Sequence, residues 1–261
     1  LITGGTSGLG LELARMFLKD GADVYATGRK FPQSLTDHTG YHFIRVDFSD
    51  LKQLKKTISN VAAVTELDLV INNAGILSPR DYSATNEGFE YTFQVNFLAH
   101  LLVGDIIINS LKPGANLSMA YVTLPVYKYI KPRFIFPQEN NYQPFRTYCE
   151  TKFYMLLAGS YLKLKYPHKD MKIIGLDPGI FSSGIYRMQK RWFHTMYAVG
   201  ALFMRSSEKV ACELFRILND QETAGERIYH RSGGSSKPFP TMSEPAEIFL
   251  KACNEALISS A

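Results

Sequence analysis

The residues best suited to chemistry are Tyr148 and Lys152, in the run Tyr-Cys-Glu-Thr-Lys. The stretch continues through Phe153, Tyr154, Met155, Leu156 and Leu157, a helical pattern in which residues four apart share a face. An ammonium beside a phenol stabilises phenolate, so the pair can exchange a proton with a carbonyl or alcohol oxygen. The same spacing is common on solvated helices, and it becomes a catalytic unit when a cofactor pocket lies beside it. The first ten residues, Leu-Ile-Thr-Gly-Gly-Thr-Ser-Gly-Leu-Gly, point to such a pocket. They read as a strand end, a glycine-rich turn and a helix start whose backbone N–H groups face a phosphate. Gly4, Gly8 and Gly10 are spaced slightly wider than the common dinucleotide fingerprint, with Leu9 and Leu13 suited to packing the helix on a sheet. Three glycines can equally serve tight turns without any ligand.

Further polar groups recur at expected strand ends. The second strand ends in Thr27-Gly28-Arg29, where an NAD-selective site commonly carries a carboxylate. Here Gly28 leaves room and Arg29 offers a bidentate cation for a ribose 2'-phosphate, which favours NADP. A solvent-exposed Arg29 at a strand end is the ordinary alternative. Asp47 and Phe48 end the third strand, where Asp47 can reach toward an adenine ring; Ser49 or Asp50 is the better cap for the helix that follows. Asn72-Asn73-Ala74-Gly75 ends the fourth as a small-residue turn that lets backbone approach a ligand. Asn96 lies inside a long helical stretch, where a polar amide suggests a specific hydrogen bond, for instance to a water behind Lys152. His100 follows one turn later and reads as a packed or satisfied polar group, because no second metal ligand has the required spacing.

These residues need an alternating scaffold. Expected strands are Ala22 to Thr27, Tyr41 to Val46, Leu67 to Ile71, Asn116 to Ala120 and Lys172 to Leu176. Expected helices are Leu9 to Lys19, Leu51 to Val61, Asn86 to Ser110, Arg146 to Lys165 and Ser207 to Leu218. The alternation predicts an α/β fold with a largely parallel sheet covered by helices on both faces. Only Leu1 and Ile2 precede the glycine turn, so the opening strand is expected to be truncated.

TGGTSGLG, Asp47, NNAG, Asn96, YCETK and PGIFSS, in that order, resemble the short-chain dehydrogenase/reductase family over nearly the whole chain. VNFLAHLLVGDIIINSLKPG, the long gap before YCETK, and SSEKVACELFRIL followed by AGERIY are similar to its retinol-dehydrogenase-like and WW-domain-containing oxidoreductase branch. The resemblance implies one doubly wound, Rossmann-type domain over 1–261 with a seven-stranded parallel sheet. It implies hydride transfer at nicotinamide C4, with Tyr148 as acid/base, Lys152 on the nicotinamide ribose and Asn96 in the proton relay. Cofactor-binding positions carried over are Gly4, Thr6, Ser7, Gly8, Leu9, Gly10, Arg29, Asp47, Phe48, Asn73, Ala74, Gly75, Tyr148, Lys152, Pro178, Gly179 and Ser183. The family usually ends its fifth strand with a catalytic serine, whereas this chain reads Asn116-Leu117-Ser118-Met119-Ala120-Tyr121. Ser118 is the candidate after a local shift, with Tyr121 or Thr123 as substitutes. An intact nucleotide site beside a weakened centre is also what a cofactor-binding regulatory or scaffold protein needs.

The segment from Val122 to Arg146 carries Tyr127, Tyr129, Phe134, Phe136, Tyr142 and Phe145 among Lys128, Lys131, Arg133 and Arg146. It reads either as an aromatic pocket with a basic rim for an apolar or amphipathic substrate, or as an excursion whose aromatics fill the core. Tyr186 to His194 reads as a substrate lid, or as a surface for a membrane. The 261 residues suffice for a single core, and a net charge of +5 specifies no partner. Cys149, Cys212 and Cys253 have neither metal nor disulfide spacing, pointing to a reducing compartment, cytoplasmic or inside an organelle. Met196 to Met204 is too short to span a bilayer, which leaves peripheral membrane contact as the remaining membrane role. No base-reading module accompanies the basic and aromatic residues, so nucleic acid is not an expected partner. No metal is expected, and a homodimer remains open.

Overall fold

Alternation along β4 (Asn116–Val122) shows how the layers form. Leu117, Met119 and Tyr121 face one core, whereas Ala120 and Val122 face the other. We describe the chain from a computed structural model that covers residues 1–36, 38–124, 130–181, 204–233 and 236–260. The other strands are β1 (Val24–Gly28), β2 (Tyr41–Arg45), β3 (Leu69–Asn72), β5 (Asp170–Asp177), β6 (Arg227–His230) and β7 (Ser236–Pro238). The helices are α1 (Gly8–Lys19), α2 (Leu51–Val64), α3 (Tyr91–Ser110), α4 (Pro144–Lys165), α5 (Ser207–Asn219) and α6 (Glu244–Ser260).

β1 pairs with β2, and β3 to β7 form a second row in sequence order. Ile2 joins the two rows, bridging in parallel to Ala26 of β1 and Ile71 of β3. The chain order therefore reverses between the opening segment and β3, and the carboxyl ends of the strands leave a crevice there, where open α/β sheets bind ligands. β1 to β6 make parallel pairs, and among the described strands only β7 runs antiparallel, against β6. This edge departs from the fully parallel sheet that the resemblance implied and fits the largely parallel one read from the alternation.

α1 and α5 cover one face through Leu9, Leu13, Leu18, Val210 and Leu214. α2, α3, α4 and α6 cover the other. Asp50 caps α2 by accepting the Gln53 N–H at 2.8 Å, as expected from its position. α3 starts at Tyr91, later than Asn86, because Ala84 bridges to Glu90 around Gly88, a turn glycine at φ +84. Glu90 then accepts the Phe93 N–H at 2.7 Å as the cap. By length and composition α3 could cross a membrane, with a mean hydropathy of 1.4, yet 83% of that window is buried within the fold. Residues 94–98 of α3 form a π-turn, which places Asn96 at an irregularity in the helix.

Candidate cofactor cleft and active site

A cleft of about 450 Å³ opens over the carboxyl ends of the strands. Its glycine-rich end is shaped by absent side chains. Gly4 and Gly8 have φ of +66° and +53°, in the left-handed region that favours glycine. A Cβ at Gly10 would lie 2.4 Å from the Gly4 carbonyl oxygen, so only glycine lets α1 begin this close to the turn. Ser7 makes no side-chain cap bond, leaving the first N–H groups of α1 to the cleft that Ser7, Gly8 and Leu9 line. Thr6 and Gly10 support this wall from behind and do not line it. A Cβ at Gly28 would come within 2.3 Å of the Thr6 hydroxyl oxygen. These cradles fit a dinucleotide.

Gly28, Arg29, Val46, Asp47 and Phe48 line the adjoining end. The Arg29 guanidinium, 55% exposed, lies 3.9 Å from an Asp47 carboxylate oxygen. The other Asp47 oxygen accepts from the Ser49 N–H at 3.0 Å and the Ser49 hydroxyl at 2.8 Å. One oxygen thus holds a local turn and the other faces Arg29.

At the opposite end, Asn73, Ala74 and Gly75 meet Tyr148 and Lys152 in the cleft lining. Thr3 fixes this turn: its hydroxyl accepts from the Asn73 N–H at 2.8 Å and the Ala74 N–H at 3.0 Å. The Asn73 amide donates to the Thr3 carbonyl at 2.9 Å. Asn96 clasps the backbone of Ile76, accepting its N–H at 2.8 Å and donating to its carbonyl at 2.9 Å. The Asn96 amide therefore anchors the loop after Gly75. A Cβ at Gly75 would lie 3.4 Å from both Asn96 Oδ1 and Lys152 Nζ, so these groups border one small space. Lys152 donates to the Val122 carbonyl at 3.3 Å, and burial pulls its pKa down to about 8. Tyr148 is buried at the cleft floor on the same helix, one turn before Lys152.

Ser118 is not brought to this centre. It has the strand parity of Ala120 and Val122, on the α1 and α5 face, opposite the face on which α4 presents Tyr148. It is also five residues before Thr123, or about 16 Å along an extended strand. The Tyr121 hydroxyl is buried against Met119 sulfur, and burial pushes its pKa up. Thr123 reaches the cleft lining, where its hydroxyl donates to the Lys152 carbonyl at 3.2 Å, and Leu124 follows it. Pro178 and Gly179 line the cleft as expected, with the Gly179 N–H donating to Asp177 at 2.9 Å. Ser183 and the expected lid, Tyr186 to His194, lie outside the described residues, as do residues 196–203 of the apolar stretch.

Ile76, Leu77, Tyr91, Val95, Leu124, Phe145, Ile180 and Phe181 make the remaining wall predominantly apolar. Of the described aromatics between Val122 and Arg146, only Phe145 is in this lining. Phe134 and Phe136 pack against the core, with Phe249 at 6.0 and 5.7 Å. Tyr142 donates to the Pro79 carbonyl at 2.7 Å, and Tyr127 and Tyr129 lie outside the described residues with Lys128. Two of the four expected rim cations are committed elsewhere: Arg133 forks onto Glu150 at 2.7 and 2.9 Å, and Arg146 reaches the same carboxylate at 3.2 Å. Glu150, unremarked in the sequence despite lying between Tyr148 and Lys152, is the anchor of that excursion. Its spacing of four from Arg146 was readable in the sequence, whereas its pairing with Arg133, 17 residues earlier and outside the helix, was not.

The short chain dehydrogenase family model matches residues 1–117. Retinol dehydrogenase 12 of Bos taurus is 29% identical over 199 residues, covering 72% of this chain and 62% of its own length. Retinol dehydrogenase 11 of Homo sapiens is 26% identical over 211 residues, covering 76% and 66%. The chain spans 57% to 65% of the length of five such relatives. Among solved structures, a short-chain dehydrogenase from Streptomyces avermitilis superposes with a TM-score of 0.62 at 15% identity, covering 99% of this chain and 94% of that one. A short-chain dehydrogenase from Burkholderia cenocepacia, in complex with NADP, gives 0.61 at 17% identity with the same coverage. These likenesses share the Rossmann-type fold.

Proposed function

We propose that this chain, which resembles the short-chain dehydrogenase/reductase family, is an NADP-dependent oxidoreductase interconverting a carbonyl and an alcohol on a large apolar substrate. The observation that carries this reading is the burial of Tyr148 and Lys152 together at the cleft floor, facing the Asn73 to Gly75 turn. A bound nicotinamide dinucleotide supplies or accepts the hydride. The turn at Gly4 to Gly10 and the N-terminus of α1 hold its phosphates, and Arg29, half-exposed beside the side-chain-free Gly28, receives the 2'-phosphate. Lys152 in its ammonium form lowers the cost of phenolate at Tyr148, which gives its proton to the substrate oxygen in reduction and takes it back in oxidation. The apolar wall of Leu77, Leu124, Phe145 and Ile180 excludes water and selects an apolar body. Residues 1–261 act as one domain in this reading.

A carbonyl and alcohol panel that includes lipid-like and retinoid-like compounds, followed by nicotinamide absorbance, tests it. Turnover is expected with NADP and is expected to fall about 10²- to 10⁴-fold in Tyr148→Phe. Turnover that survives this substitution removes Tyr148 from the reaction. A second reading, a cofactor-binding regulatory protein with an impaired centre, is favoured by one observation: β4 delivers Thr123, whose hydroxyl is bound to the Lys152 carbonyl, and then apolar Leu124. Tight NADP binding with no turnover across the panel selects it.

A further inference from the structure

His100 is fully buried in α3 and does not line the cleft, yet it is bonded on both sides of its ring. Nδ1 lies 3.1 Å from the Asn96 carbonyl oxygen, which can only accept, so Nδ1 carries the hydrogen. Burial, reinforced by the nearby Lys152 ammonium, pushes the imidazole pKa down to about 3, so the ring is neutral. Nε2 is therefore bare and accepts from the Thr3 hydroxyl, 3.1 Å away, which is closer than the Ile71 carbonyl at 3.3 Å, an oxygen already accepting the Thr3 N–H at 2.9 Å. A hydroxyl has one proton and two lone pairs. With the proton on His100, both lone pairs of Thr3 serve the Asn73 and Ala74 N–H groups. The opposite tautomer would set a bare nitrogen against the Asn96 carbonyl and ask Thr3 to accept three hydrogen bonds.

The donors and acceptors thus close into one connected set, running from the π-turn of α3 through His100 and Thr3 to the Asn73 to Gly75 turn. Asn96 makes a second, direct link from the same π-turn to Ile76. Two struts from one helix therefore hold both ends of the loop that borders Lys152. We propose that His100, fixed as the Nδ1–H tautomer, is a positioning residue that sets the Asn73 to Gly75 turn against Lys152 and so tunes the fit of the nicotinamide end of the cofactor. This assignment rests on the functional reading above and adds a residue that touches neither cofactor nor substrate.

If His100 only filled the core beside Phe48, whose ring centroid is 5.2 Å away, phenylalanine would replace it without consequence. The test compares the full-length parent chain with His100→Phe, which keeps the ring and loses both bonds, and His100→Gln, which retains an amide able to accept from Thr3. In the cofactor-free parent, imidazole ¹⁵N spectra are expected to show protonated Nδ1 and bare Nε2, unchanged between about pH 5 and 8. The reverse tautomer, or titration in that range, overturns the proposal. Amide exchange at Asn73 and Ala74 is expected to quicken about tenfold in His100→Phe and to recover in His100→Gln, with NADP affinity following the same order. Unchanged exchange in a folded His100→Phe overturns it as well. Quickened exchange in His100→Phe, where the parent binds neither NADP nor NAD, overturns the functional reading and leaves the strut as a structural device alone.

Discussion

At the phosphate end of the cleft, geometry is set by what is missing: Gly10 and Gly28 have no space for a Cβ, and Gly4 and Gly8 adopt backbone angles that side chains resist. At the substrate end, geometry is set by bulk, with Leu77, Leu124, Phe145 and Ile180 filling the wall and a long excursion pinned by Arg133 and Arg146 on Glu150. The first arrangement has few alternatives, because a side chain would collide with the Gly4 carbonyl at Gly10 and with the Thr6 side chain at Gly28, and would strain the backbone at Gly4 and Gly8. The second tolerates exchange of one apolar group for another, which is where substrate preference can vary without disturbing the cofactor.

Substitutions should separate the two ends. The largest effect is expected for Gly10→Val, whose side chain would meet the Gly4 carbonyl: NADP affinity falls about 100-fold or more, and a titration showing less than tenfold loss breaks the contrast. Next is Glu150→Gln, which leaves two arginines facing a neutral amide. Because Arg133 and Arg146 keep 19% and 32% of their side-chain surface in water, the loss is at the low end for such pairs, about 2 to 3 kcal/mol by denaturant unfolding. Substrate KM should rise while cofactor affinity stays within about twofold. Smaller again is Arg29→Ala, expected to weaken NADP about tenfold and NAD hardly at all; parallel losses for both nucleotides would remove Arg29 as the discriminator.

The most gradual effect is a pH slope at the border of the two ends. Burial takes Lys152 from an ordinary 10.5 to about 8. Below pH 8 both folded and unfolded chains hold this proton, and the buried ammonium costs stability. Between 8 and 10.5 the unfolded chain holds the proton and the folded one does not, so stability of the cofactor-free protein rises with pH, by at most about 1.4 kcal/mol per unit. Lys152→Met should flatten that rise in chemical denaturation, and an unchanged slope places its origin elsewhere.

The glycine-rich end was legible in sequence because its signals are local: a residue type required by a backbone angle or a close approach is visible where it stands. Ser118 was not correctly placed, since nothing in Asn116 to Tyr121 reveals which parity faces α4, and a shift of one residue exchanges the faces. β6 and β7 are short and carry no long apolar run, so the antiparallel edge left little periodic trace. Phe134 and Phe136 were ambiguous for another reason. An aromatic residue suits a pocket and a core equally, and what decides between them is packing on rings distant in sequence, Phe93 and Phe249 among them.

The burial of α3 has a consequence for how the chain is made. Its partners lie on both sides in sequence: α2 precedes it, whereas α4 and α6 come only after further synthesis. While the chain emerges from the ribosome, a 20-residue helix with the hydropathy of a membrane span therefore waits half-covered. To the factors that survey nascent chains for membrane anchors, composition alone does not distinguish it from one, and what removes the resemblance is the arrival of α4 and α6.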